Sequence, residues 1–268
     1  MLGSVLLEKK QWCVQKLYQW FRPHDTTFLH LLEELSRFGE PAAALLYELL
    51  MNPWSAACIH KRLKEVEVAA DECAEAIYKR LRKSATPHPD PEDIKAITRC
   101  LENGVVDIIE SVGKRFALLA RHNNDSFINF KPLFSQTVEQ VAILRAATSE
   151  LPKAIAYLAR LELPPDLKDR IHKLENDADA LWEGQDGVLD AYYGFVRRSN
   201  IIQTHLQRVE FLREWKEIAH SIEQCIDNVR ATVDIVLDII EKHPHVEIRP
   251  RKAVTPVEVA TAPTLVRQ

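Results

Sequence analysis

The chain has 268 residues and a formal net charge of -4, from 39 acidic and 35 basic residues. This balance of charge gives no general support for nucleic-acid binding. Hydrophobic residues make up 46% of the sequence and there are only 7 glycines, so the chain can bury a large core and favours helix almost throughout. No window approaches the roughly 18 consecutive apolar residues that a membrane-spanning helix needs.

The cysteines are scattered and show no Cys-x-x-Cys spacing. An odd set of this kind indicates reduced thiols in a cytosolic protein, not a disulfide framework or a zinc ribbon. No signal peptide is evident. We therefore expect a cytoplasmic protein without membrane insertion. The five cysteines are Cys13, Cys58, Cys73, Cys100 and Cys225.

Apolar residues at helical spacing predict three long helices in the first part of the chain, after a short N-terminal helical extension over residues 1–21. Proline-containing segments separate them. Gly39 and Pro41 lie inside the first of the three and predict a kink there. The predicted helices cover about residues 25–51, 55–84 and 92–121.

A connector over residues 122–134 leads to three more predicted helices, followed by a tail over residues 243–268 that lacks periodicity and is expected to be disordered. Long helices joined by short turns predict an all-α, six-helix antiparallel bundle over residues 22–242, with halves 22–121 and 135–242. The helices of the second half are predicted at about residues 135–161, 166–196 and 203–242.

Three of the predicted helices carry an acidic pair at four-residue spacing, each pair displaced by one residue from the apolar stripe of its helix. Residues four apart lie on one face of a helix, so each pair forms a short carboxylate ladder beside the buried seam. His172 and His220 precede the first acidic residue of their ladders by three positions. The ladders are Glu67 with Asp71, Glu175 with Asp179, and Glu223 with Asp227.

The third helix has a weaker version of the same pattern. Asn103 stands four residues before Asp107, with Glu102 adjacent and Glu110 one turn further on. Asparagine supplies no charge, and Gly104 weakens the helix at this point. This helix is therefore the weakest of the four candidates.

Carboxylates at the edge of a buried face are costly unless they are paired or bind a metal. Oxygen-rich ligation with an occasional imidazole suits Fe, Mn or Mg, and Zn also fits. A solvated charged edge would give the same pattern without any metal. The candidate metal ligands are Glu67, Asp71, Asp107, His172, Glu175, Asp179, His220, Glu223 and Asp227.

The sequence contains no glycine-rich phosphate loop, nucleophile elbow or His-Glu-x-x-His motif, and we expect no enzymatic activity. One alternative is a di-metal carboxylate oxidase, but such bundles use Glu-x-x-His, whereas this chain has His-x-x-Glu on two helices. A metal-free helical adaptor is the other alternative.

Several segments, taken in order over about residues 18–242, resemble the PhoU-like proteins, in particular the accessory proteins of Pit-type inorganic phosphate transporters. The segments are Pro23-x-x-x-x-Phe28, Leu31-Leu32-Glu33-Glu34, the Glu67/Asp71 pair, Thr86-Pro87 with Asp90-Pro91-Glu92-Asp93-Ile94, the segment Ile171–Asp179, and Trp215-Lys216-Glu217-Ile218 before Glu223/Asp227.

The resemblance implies two related three-helix halves, metal binding by the Glu/Asp-x-x-x-Asp pairs, and regulation of a phosphate transporter at the cytoplasmic face of the membrane. A homo-oligomer and a peripheral position at the membrane are compatible with it. The third helix departs from the family pattern at Asn103 and Gly104. We therefore rank the ladders of the second half first, Glu67 and Asp71 next, and the third helix last.

Overall fold

The computed structural model describes residues 26–83, 90–122, 131–160, 166–198 and 202–242. These residues are helical apart from short turns, so the predicted all-α fold is confirmed. The predicted N-terminal extension (1–21) and C-terminal tail (243–268) lie outside the described residues.

The described residues form six helical rods, three in each half. The α-helices are α1 (Thr26–Ser36), α2 (Gly39–Met51), α3 (Ala56–Lys83), α4 (Pro91–Leu101), α5 (Asp107–His122), α6 (Lys131–Arg160), α7 (Leu167–Arg198) and α8 (Ile202–Lys242). The first rod consists of α1 followed by α2, and the third consists of α4 and α5, joined by a π turn, Glu102–Val106.

The bend in the first rod is a break between α1 and α2. The backbone N–H of Phe38 bonds to the carbonyl of Leu35 at 3.2 Å, and α2 then begins at Gly39. Pro41 therefore falls in the first turn of a new helix, where its missing N–H leaves no hydrogen bond unmade. The helix is thus interrupted at Arg37 and Phe38, just before the position of the predicted kink.

Helix boundaries differ from the prediction by a few residues. Helix α4 begins at Pro91, and Asp90 caps it by accepting a hydrogen bond from the backbone N–H of Glu92 at 2.9 Å. Helix α6 begins at Lys131, inside the segment predicted as a connector. Its first turn contains Pro132, which is tolerated there for the same reason as Pro41.

Helix α8 contacts helices of both halves and joins them into one core. Its Trp215 is fully buried and donates a hydrogen bond from Nε1 to Thr137 Oγ1 on α6 at 3.0 Å. The same indole ring meets Phe116 of α5 edge-on, with 6.0 Å between ring centroids. Burial of large aromatic side chains contributes strongly to stability, so α8 is a main structural link between the halves.

The π turn is held closely against α8. Gly104 is buried beside Asn228, and a Cβ atom at position 104 would lie 2.6 Å from Asn228 Cγ. The carbonyl of Val105 lies 3.8 Å from the buried thiol of Cys225, also on α8. The sequence predicted a weak helix at Gly104, and the structure has a π turn there, whose packing requires a residue without a side chain.

Replacing Gly104 by Ala is expected to lower the free energy of unfolding by about 1–3 kcal/mol, because the added methyl group overpacks the contact with Asn228. Urea unfolding measures the change. The matched control is Gly184→Ala in α7, where the added Cβ atom would meet Nε2 at the flexible end of the Gln136 side chain, 3.3 Å away. Stabilisation by both substitutions, as helix propensity alone would give, would contradict the close contact.

Candidate functional site

Three carboxylates from two helices come together where α3 passes the start of α5. Glu67 and Asp71 lie one turn apart on α3, and Asp107 is the first residue of α5. One oxygen from each lies within 4.8 Å of the others. This spacing allows all three side chains to reach a single cation, with oxygen ligands only.

Burial and the charges of neighbouring carboxylates raise the pKa values of Asp71 and Asp107. Burial, followed by the charges of Asp71 and Glu67, raises the pKa of Asp107 to about 6. Burial and the charge of Glu67 raise the pKa of Asp71. Uncompensated negative charge therefore accumulates at this point of the bundle.

Lys64 supplies part of the missing positive charge. Its Nζ lies 2.7 Å from the carboxylate of Glu67, one turn along α3, but its side chain is 52% exposed. The buried Oδ1 of Asp107 has no hydrogen-bond partner among the described residues. A buried carboxylate oxygen without a partner is costly and is suited to a cation, so the residues present fit a metal ion.

Glu102 lies beside this group, at the start of the π turn. Its Oε2 accepts hydrogen bonds from Tyr78 Oη at 3.2 Å and from Asn103 Nδ2 at 3.0 Å. Burial raises the pKa of Glu102, and the charges of Asp71 and Asp107 raise it further. The charge of Glu102 therefore acts on Asp71 and Asp107, although its carboxylate lies outside the group of three within 4.8 Å.

Sequence reasoning did not single out His60. Its Nε2 lies 2.9 Å from Glu110 Oε1, and this pair links α3 to α5 one turn beyond Asp107. The sequence does contain a signal that could have identified His60, because this residue precedes Glu67 by seven positions. Seven residues make about two turns, so the two side chains lie on nearly the same face of the helix.

In the second half, Glu175 already has partners. Only 10% of its side chain is exposed, and it accepts hydrogen bonds from the guanidinium of Arg230 and from His172 Nδ1, the latter at 3.0 Å. Arg230 also lies 3.5 Å from Asp234. An arginine is always protonated in proteins, so it compensates part of the charge that a metal would otherwise have to balance.

The two ladders of the second half face each other across α7 and α8. Burial raises the pKa of Asp227, and the charges of Glu223, Glu175 and Asp179 raise it further. His220 Nδ1 lies 3.0 Å from Glu223 Oε2 on its own helix, and His172 pairs with its own Glu175 in the same way.

The grouping of the predicted ligands in the structure therefore differs from our ranking of the acidic ladders. Within the described ranges, three ligand atoms meet within 4.8 Å only at Glu67, Asp71 and Asp107. The residue that ranked last, Asp107, joins the group that ranked second. The second-half carboxylates influence one another but also face Arg230.

No helix among the described residues combines the length and the apolar character needed to cross a membrane. No family model matches the sequence, and no curated protein matches it. Among solved structures, the chain is similar to the crystal structure of PhoU from Pseudomonas aeruginosa, with 15% identity and a TM-score of 0.44, over 85% of this chain and 98% of that one. At this identity and TM-score, the similarity assigns neither a family nor a function.

The contribution of Asp107 to the stability of the metal-free protein is expected to fall as the pH rises from 3.8 to about 6, the ordinary and folded pKa values of its carboxyl group. Over that range the folded state keeps a proton that the unfolded state has lost, so protonation favours folding. The free energy of unfolding is measured across this pH range, with chelator present, for the wild type and for Asp107→Asn. The quantity of interest is the wild-type value minus the value of the variant. The groups facing Asp107 are Asp71, Glu67, Lys64, Glu110 and Glu102, and these residues are unchanged in the variant. A difference that does not fall with rising pH would contradict the raised pKa.

Proposed function

We propose that this protein binds a divalent or trivalent metal ion through Glu67, Asp71 and Asp107, and that it regulates inorganic phosphate transport as a non-enzymatic helical bundle. The observation that carries the metal site is the convergence of three carboxylate oxygens from α3 and α5 within 4.8 Å. The partner-free buried oxygen of Asp107 supports it independently.

The three side chains would each perform a simple task at such a site. Glu67 and Asp71 present two oxygens from one face of α3, and Asp107 presents a third from α5, so the ligands hold the two helices together. When bound, the ion supplies the positive charge that Lys64 provides only in part. Ligation by carboxylates suits Fe, Mn or Mg, and Zn is compatible with the nearby His60.

The carboxylates of the second half are weaker candidates for metal binding than those of the first half. Arg230 and His172 satisfy Glu175 within the protein, and removing charge compensation from such a buried group is costly. In the described part of the first half, the cation that acts on Asp107 and Asp71 is Lys64, whose side chain is 52% exposed. We therefore propose the first-half group as the main metal site.

The proposed role in phosphate transport is supported by the order of motifs that resembles the PhoU-like proteins, not by the site geometry. In this role the bundle acts at the cytoplasmic face of a membrane transporter. A bound ion would change the charge of the surface near α3 and α5, because among the described residues Lys64 is the cation that acts on Asp71 and Asp107. Metal loading would then change the surface offered to the transporter.

Protein purified without chelator is expected to contain Fe, Mn or Zn by elemental analysis. Changing Glu67 to Gln and Asp71 to Asn together should lower the metal content at least about tenfold, because two of three ligands lose their charge. The matched control is Glu175→Gln with Asp179→Asn, the same substitutions on the equivalent pair of α7, which should retain most of the metal.

The result that contradicts the assignment to the first half is a larger loss in the α7 variant than in the α3 variant. A metal-free wild-type protein whose thermal stability ignores added Fe, Mn, Mg and Zn would overturn metal binding altogether.

Cells that lack this chain are expected to show altered uptake of radiolabelled inorganic phosphate, and the wild-type chain should restore the original rate. The variant Asp71→Asn with Asp107→Asn should fail to restore it if metal loading controls the surface. Unchanged uptake in cells without the chain would contradict the transport role and leave the metal site to be judged by elemental analysis.

A further inference from the structure

We propose that Glu102 is a fourth carboxylate ligand of the metal site, brought there by the π turn. This inference rests on the proposed metal binding at Glu67, Asp71 and Asp107. It assigns a ligand that the sequence pattern does not select, because Glu102 stands five residues before Asp107 and not four.

The backbone geometry explains why a five-residue spacing works here. In an α-helix with 3.6 residues per turn, residues five apart lie about 140° apart around the axis. In a π turn the hydrogen bond spans five residues, and the backbone N–H of Asp107 does bond to the carbonyl of Glu102. Glu102 and Asp107 are therefore stacked one turn apart, as residues at four-residue spacing are in an α-helix.

The surroundings of the side chain agree with this placement. Glu102 is partly buried and its negative charge interacts with those of Asp71 and Asp107 on two different helices. Asn103, which has the four-residue spacing, is exposed and donates to Glu102 instead. Within this rod, the carboxylate at position 102 takes the place that the four-residue pattern assigns to position 103.

The hydrogen bonds of Glu102 involve one of its two carboxylate oxygens and leave the other as a suitable ligand atom. Tyr78 and Asn103 both donate to Oε2, so Oε1 is the atom that we assign to the metal. Burial raises the pKa of Tyr78 to about 12, and the carboxylate of Glu102 contributes to the shift; the phenol therefore remains a donor at neutral pH. Fixing one oxygen by outer hydrogen bonds is how proteins orient ligating carboxylates.

Packing against α8 keeps the π turn in place. Gly104 has no room for a side chain beside Asn228, and Val105 presents its carbonyl to Cys225. A π turn costs regular α-helical hydrogen bonding, and such turns occur frequently at functional sites. Here the turn has a specific consequence, since it aligns Glu102 with Asp107.

The test is calorimetric titration of the full chain with Mn²⁺, after removal of bound metal. Glu102→Gln is expected to weaken binding about 10–100-fold, the range typical of losses around metal ligands. Glu72→Gln is the matched control, because it removes the same charge from an exposed position of α3 next to Asp71 and should weaken binding much less. Glu102→Asp keeps the charge but shortens the side chain, and should also weaken binding.

The outcomes separate this inference from the proposed function. If the wild type binds Mn²⁺ and Asp107→Asn abolishes binding, while both Glu102 variants bind as the Glu72 variant does, Glu102 is not a ligand and the metal site stands. If the wild type binds none of Mn²⁺, Fe²⁺, Mg²⁺ and Zn²⁺ in the same titration, the proposed metal site is overturned, and this inference with it. Thermal unfolding of each metal-free variant verifies that a loss of binding is not a loss of fold.

Discussion

The repulsion among carboxylates between α3 and the start of α5 is the constraint on which the rest of this account depends. Carboxylate oxygens of Glu67, Asp71 and Asp107 lie within 4.8 Å of one another, and burial together with the neighbouring negative charges raises the pKa values of Asp71 and Asp107. A folded protein tolerates such a group only at an energetic cost. Lys64 offsets part of this cost from a largely exposed position. The proposed metal ion would offset the remainder.

The two halves handle similar acidic patterns by different means. In the second half, Arg230 of α8 places a permanent positive charge on Glu175 of α7. In the first half, the same kind of pair meets further carboxylates from the third rod. Helix α8 connects the two arrangements physically, since it carries Arg230 and also packs against the π turn through Asn228.

The sequence predicted the helices well because apolar periodicity and proline positions are local signals. It also placed Glu67 and Asp71 on one face of a helix, which follows from their four-residue spacing alone. It could not indicate in which half three carboxylates converge, because that depends on tertiary partners: Arg230, for example, reaches Glu175 from 55 residues away. The π turn was also beyond local reasoning, since Gly104 indicates a weak helix but not the packing against Asn228 that makes a wider turn favourable.

The most direct measurement is anomalous X-ray diffraction from crystals of the full chain grown with Mn²⁺ and recorded near the manganese absorption edge. The account predicts the strongest anomalous peak between the carboxylates of Glu67, Asp71 and Asp107. A strongest peak between Glu175 and Asp227, or no peak at either position at a Mn²⁺ concentration that saturates binding in solution, would contradict it.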